Sequence, residues 1–177
     1  MMGLPQPLGL LARAAEVMDT SLVDASRAMP TLPTPCREWD LGTLVHHIAH
    51  SVSDLADLLE RCVPTPAPRG GCTQARLQIG RLENAITKVS ADDESVELTA
   101  LAGAFELTLH AWDLRESAGS AKPLPADLAS ALLSLAPVVL NNIERRGLFD
   151  ASLPPSAEQR TDTDRLVALF GRRASSG

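Results

Sequence analysis

Residues 40–60 read DLGTLVHHIAHSVSDLADLLE. Leu41, Leu44, Val45, Ile48, Val52, Leu55 and Leu59 recur at the three- and four-residue spacing of one helical face. Asp40 stands in front of them as an N-cap, because its carboxylate can accept from the free amides of the first turn. This segment is a helix with one apolar stripe, and that stripe has to be buried against other helices. Upstream, Leu11, Ala14, Ala15, Met18, Leu22 and Ala25 give a first helix from about Leu8 to Ala28, which Pro30, Pro33 and Pro35 forbid from continuing. Downstream, the Pro/Gly-rich VPTPAPRGG, residues 63–71, reads as a linker. A third helix from about Thr73 to Val89 carries Ile79, Leu82, Ile86 and Val89 on one face. After the acidic loop SADDES comes a fourth, from about Val96 to Ser117, with Gly119 as its C-cap.

Pro125 fits the first turn of a fifth helix, which is expected to break or kink at Pro137 and to end near Gly147. DASLPPSAEQRTDTD is a surface connection, and DRLVALFGR holds a short last helix. No useful strand alternation and no internal repeat is present. The expected fold is all-α: a four-helix bundle with accessory C-terminal helices, forming one domain over residues 1–177.

Composition narrows the function classes. With 45% hydrophobic and 21% charged residues the chain is globular in character rather than disordered. A net charge of −6 argues against a nucleic-acid partner, and 3% aromatics with no Tyr argue against base stacking and a Tyr acid. The best apolar stretch, Leu128 to Leu140, is too short to span a bilayer and contains Ser130, Ser134 and Pro137. The first residues lack the basic start of a signal peptide. Cys36, Cys62 and Cys72 form no CxxC pair, which fits a reducing compartment. The expectation is a cytoplasmic monomer or homodimer that acts on a small molecule, without membrane or nucleic acid.

Chemistry concentrates on two helices. His46, His47 and His50 lie on the second; Glu106 and His110 lie four residues apart on the fourth. At roughly 100° per residue, Glu106, His110 and Asp113 share a face with Thr99, Ala102 and Gly103, between two apolar flanks. Arg115 falls opposite and marks the expected solvent side. A buried carboxylate must be paired, protonated or bound to a metal. A plain Glu106–His110 hydrogen bond satisfies that demand as well as an ion does. On the second helix His46 and His50 sit off the apolar stripe, whereas His47 lies at its edge and is best placed to reach across. His47, Glu106 and His110 then make a two-His, one-carboxylate set that leaves zinc an open position. Iron, nickel and manganese accept the same donors.

TPCREWDLGTLVHHIAH, residues 34–50, and FELTLHAWDLRESAG, residues 105–119, resemble the two motifs of the DinB/YfiT-like superfamily. Within it they resemble the mycothiol-dependent maleylpyruvate isomerase N-terminal family. The tail from Arg145 is similar to the end of its short, single-domain actinobacterial members. The resemblance implies a bundle with a divalent metal held by His47, Glu106 and His110. Asp113 matches the Asp of the W-D pair; it either orients a ligand His from behind or bonds to a neighbouring helix end. It also implies mycothiol as a thiol co-substrate, whose sulfur the metal would activate for S-transfer to, or isomerisation of, a small electrophile. The other reading is a metal-binding accessory module without turnover.

Two departures bear on this. The full isomerases carry a further C-terminal domain, and the stretch after Gly119 is too short for one. Many relatives have small residues where this chain has His50 and Ser51. His50 either crowds the site or adds a proton-transfer group, although the wheel turns it from the core. Cys36 reads as loop packing, Cys62 and Cys72 as unrelated thiols, and Arg76 and Arg81 as surface charges or an anion contact. No phosphate loop, nucleophile elbow or HExxH motif is present.

Overall fold

A computed structural model describes residues 7–36, 38–64, 66, 69–90, 93–120, 122–142, 152–154 and 160–173. Among them are six helices and no named strand. They fall into two compact units.

The unit spanning residues 5–122 holds four helices: α1 (Pro7–Ala25), α2 (Leu41–Glu60), α3 (Cys72–Ile86) and α4 (Glu94–Ala118). In this unit α4 packs against α1 and α2, and α3 packs against α2 and α1. Their cyclic order is therefore α1, α4, α2, α3. Leu11, Met18, Leu22, Leu44, Ile48, Ile79, Leu82, Phe105, Leu107 and Leu109 are almost fully buried. Most apolar positions picked by periodicity on α1, α2 and α3 are at the core; Leu55 and Ile86 are half-buried, and Val89 falls beyond α3, which ends at Ile86.

Local chemistry sets the helix ends. Asp40 caps α2 by accepting from the Thr43 amide at 2.8 Å. Arg61 closes α2 at φ 53°, a left-handed conformation unusual for a residue with a side chain. Gly119 closes α4 at φ 65°, where glycine carries no steric penalty. At Gly103 a Cβ would lie 2.9 Å from Leu55 and 3.0 Å from Leu11, so a hydrogen there lets α4 approach both α1 and α2.

The polar ties in this unit correct one expectation and decide another. Arg115 is no solvent marker: only 6% exposed, it donates to Ser21 Oγ at 2.8 Å, to Thr20 Oγ1 and to the Lys122 carbonyl. A long guanidinium can be buried where several oxygens meet its fork of donors. Arg76 is an exposed surface charge and Arg81 a partly exposed one, and both are held in ion pairs. Arg76 pairs with Asp19 on α1 at 2.7 Å, and Arg81 pairs with buried Asp57 and with Glu60 on α2.

The second unit contains α5 (Ala126–Asn142) and α6 (Asp162–Leu169), packed on each other. The α5 helix runs on through Pro137 instead of breaking there. Its expected end near Gly147 lies outside the described residues. Thr161 and Asp164 form a reciprocal capping box at the start of α6. No helix among the described residues is long and apolar enough to cross a membrane.

Candidate metal centre

The cluster lies within the four-helix unit, where α2 faces α4. His47 on α2 places Nε2 2.8 Å from Glu106 Oε1 on α4, across 59 positions of sequence. One turn beyond Glu106, His110 Nε2 lies 3.4 Å from the same oxygen. The three donor atoms lie within 4.8 Å of one another. An ion about 2.0–2.2 Å from each donor needs donor separations of roughly 3.0–3.5 Å, close to those found. The donor set thus fits a divalent ion in number and type, with all three donor atoms within 4.8 Å of one another.

Exposure is graded across it. The side chains of His47 and Glu106 are 33% and 27% exposed, His110 is 8% exposed and Asp113 is fully buried. A ligand could enter from the His47–Glu106 side, while the His110 side is dry. Asp113 Oδ2 accepts from His110 Nδ1 at 2.8 Å, which leaves Nε2 directed at Glu106. This carboxylate–imidazole contact is how a metal-binding histidine is usually oriented.

The charges are strongly coupled. Burial alone would raise the Glu106 carboxyl, but hydrogen bonds and charge from His110 and His47 outweigh it and hold the group well below the usual carboxylate range. Burial likewise opposes a charged His110. Hydrogen bonds to Asp113, Cys36 and Glu106, with the charge of Glu106, outweigh it and raise this imidazole well above 6.5. Both shifts favour the charged forms, so binding of a divalent cation competes with protonation of His110.

Three neighbours were not legible as site residues. Ser51 Oγ lies 3.2 Å from Glu106 Oε1 and 3.3 Å from His47 Nε2. Its position four residues after His47 is the one sequence signal for it. Trp39 lays its ring 4.5 Å from that of His47 and 6.0 Å from that of His110, forming an aromatic wall. Cys36, expected to pack in its loop, brings Sγ to 3.3 Å from Asp113 Oδ2. Cys36, His110 and Asp113 form a second set of closely spaced donors. His50 belongs to neither set: Nε2 pairs with Asp54 Oδ2 at 3.3 Å, with both side chains substantially exposed. His46 is exposed.

No family model matches the chain, and no solved structure matches it. It is similar to two proteins of Mycobacterium tuberculosis, the uncharacterized protein MT0763 of strain CDC 1551 / Oshkosh and the uncharacterized protein Rv0738 of strain H37Rv. Each is 22% identical over 177 residues, covering 94% of this chain and 97% of the relative.

Proposed function

We propose that this protein is a divalent-metal-binding four-helix bundle of the DinB-like type, and that it works as a thiol-dependent metalloenzyme. The observation that carries the metal reading is the convergence of His47, Glu106 and His110 from two helices at donor spacing. The ring of contacts α1, α4, α2, α3 supports the bundle.

In this reading His47 Nε2, Glu106 Oε1 and His110 Nε2 hold the ion, with zinc favoured by the donor types. A bound divalent ion supplies Lewis acidity, which lowers the pKa of a coordinated thiol and keeps it as a thiolate. The chain's own residues do the rest. Asp113 keeps the His110 proton on Nδ1 and so leaves Nε2 free to bind. Ser51 holds the Glu106 oxygen and limits its swing. Trp39 sets its indole beside both imidazoles, as an apolar neighbour on that side. The more exposed His47–Glu106 side is left for a small thiol of the mycothiol type and its electrophilic partner.

Two experiments test this. Elemental analysis should find about one divalent ion per wild-type chain and little in His110→Ala; equal content in both rejects the assignment. Consumption of mycothiol, or of a simple thiol in its place, is then followed with a panel of small electrophiles. Metal present without turnover across the panel would favour a metal-binding accessory module over an enzyme.

A further inference from the structure

The loop before α2 is tightly tied, and it aims one side chain at the back of the cluster. Leu41 N donates to the Leu32 carbonyl at 2.8 Å, and Gly42 N to the Pro30 carbonyl at 2.7 Å. Trp39 N donates to the Cys36 carbonyl at 2.8 Å. Thr34 Oγ1 accepts from Cys36 N at 3.1 Å and lies 2.9 Å from the Trp39 carbonyl. Cys36 is thus fixed by backbone bonds on both sides, and its Sγ meets Asp113 Oδ2, 77 positions away, at 3.3 Å.

That oxygen is the one holding His110 Nδ1. Asp113 is fully buried, so bulk water does not set the rotation of its carboxylate. His110 Nδ1 and the Cys36 thiol converge on Oδ2 from two directions, and the thiol also bonds to His110. We infer that Cys36 is a positioning residue for the metal centre: its thiol pins Asp113 Oδ2, and Asp113 in turn holds His110 with Nε2 turned toward Glu106 and His47. This rests on reading His110 as a metal ligand.

The competing role is Cys36 as a ligand in its own set with Asp113 and His110. The closest contacts of the two sets are equal, 2.8 Å in each, so distance does not separate the roles. What favours positioning is that His110 turns Nε2, not Nδ1, toward Glu106 and His47, while Nδ1 is bonded to Asp113. Loss of such outer partners typically weakens metal binding by roughly 10–100-fold.

Cobalt(II) titration of the full chain tests the inference in wild type, Cys36→Ala, Cys36→Ser and Asp113→Asn. Asp113→Asn should lose on the order of 10–100-fold in affinity, and Cys36→Ala on the order of tenfold. Cys36→Ser, which keeps a donor on the same tether, should recover most of the Cys36→Ala loss. The wild-type spectrum should lack near-ultraviolet thiolate-to-cobalt charge transfer. Such a band that vanishes in Cys36→Ala would make Cys36 a ligand and overturn the positioning role, as would equal affinity in Cys36→Ala and wild type. A wild type that takes up no cobalt would sink the metal reading instead. The hydrogen-bond chain is then read in the metal-free protein from the His110 ring-nitrogen NMR shifts. These should move in Cys36→Ala and return toward wild type in Cys36→Ser; unmoved shifts would refute the chain itself.

Discussion

Replacing Glu106 by Gln separates two effects of one carboxylate. In the metal-free chain Glu106 Oε1 faces His47 at 2.8 Å and His110 at 3.4 Å. Breaking a fully buried ion pair costs about 3–5 kcal/mol, and an exposed pair is worth about 0–1 kcal/mol. With His110 8% exposed and Glu106 27% exposed, this pair lies between those limits. Chelator-treated Glu106→Gln should therefore be about 1–3 kcal/mol less stable than wild type. The pH dependence has a definite sign. The Glu106 carboxyl is held below its ordinary 4.5, so its contribution is present above that pH and is lost as pH falls through the folded value. His110 is raised above its ordinary 6.5, so its contribution is present below that pH and is lost as pH rises through the folded value. Urea melts in a chelator should show the widest gap between the two proteins at pH between 4.5 and 6.5. Zinc at a hundredfold excess over its Kd should stabilise wild type by about 2.7 kcal/mol, roughly 5–10 °C in Tm. The Gln variant should gain little. An equal gain in both proteins would show that the carboxylate is no ligand, and a gap independent of pH would refute the ion-pair account.

Other outcomes follow from single contacts. Phe105→Ala empties a site that is 1% exposed on α4 and should cost about 3–5 kcal/mol in denaturant melts, on the scale of other buried aromatic truncations. Arg81→Ala leaves the Asp57 carboxylate, 4% exposed, without its guanidinium. A loss of about 1–3 kcal/mol is expected, below the fully buried case because Arg81 itself is 28% exposed, with zinc content unchanged by elemental analysis. Trp39→Phe should abolish most of the zinc-induced change in tryptophan emission, since the Trp39 ring lies 4.5 Å from that of His47 whereas Trp112 is buried on α4. A response of wild-type size in the Phe variant would remove Trp39 from the pocket wall.

Much of this architecture was legible because it rests on local periodicity. The apolar stripe of α2 and the Asp40 cap follow from spacing and side-chain chemistry alone. The shared face of Glu106, His110 and Asp113 follows from three- and four-residue steps, and His47 was singled out by its place at the stripe's edge. Pairing across α2 and α4 was inferred, and the 2.8 Å contact is its geometric counterpart. Legibility failed where contacts depend on tertiary closure. Trp39 and Cys36 sit in a loop with no period to read, and their partners His110 and Asp113 are distant in sequence. Arg115 was misplaced because a wheel assumes one wet side along the whole helix, and α4 has none from Gly103 to Arg115. Pro137 was read as a break or a kink, and α5 continues through it without a break. One missing amide bond there does not prevent helical backbone on both sides.

From Gly103 to Arg115 no position of α4 is exposed. An exhaustive substitution scan would usually trace a helix as a wave, tolerant positions returning with each turn. Along this segment the wave should flatten into an unbroken plateau of intolerance. Loss-of-function patterns there would then fail to tell a ligand from its packing neighbours, so such a screen needs a direct readout of bound ion to find Glu106 and His110 among the residues around them.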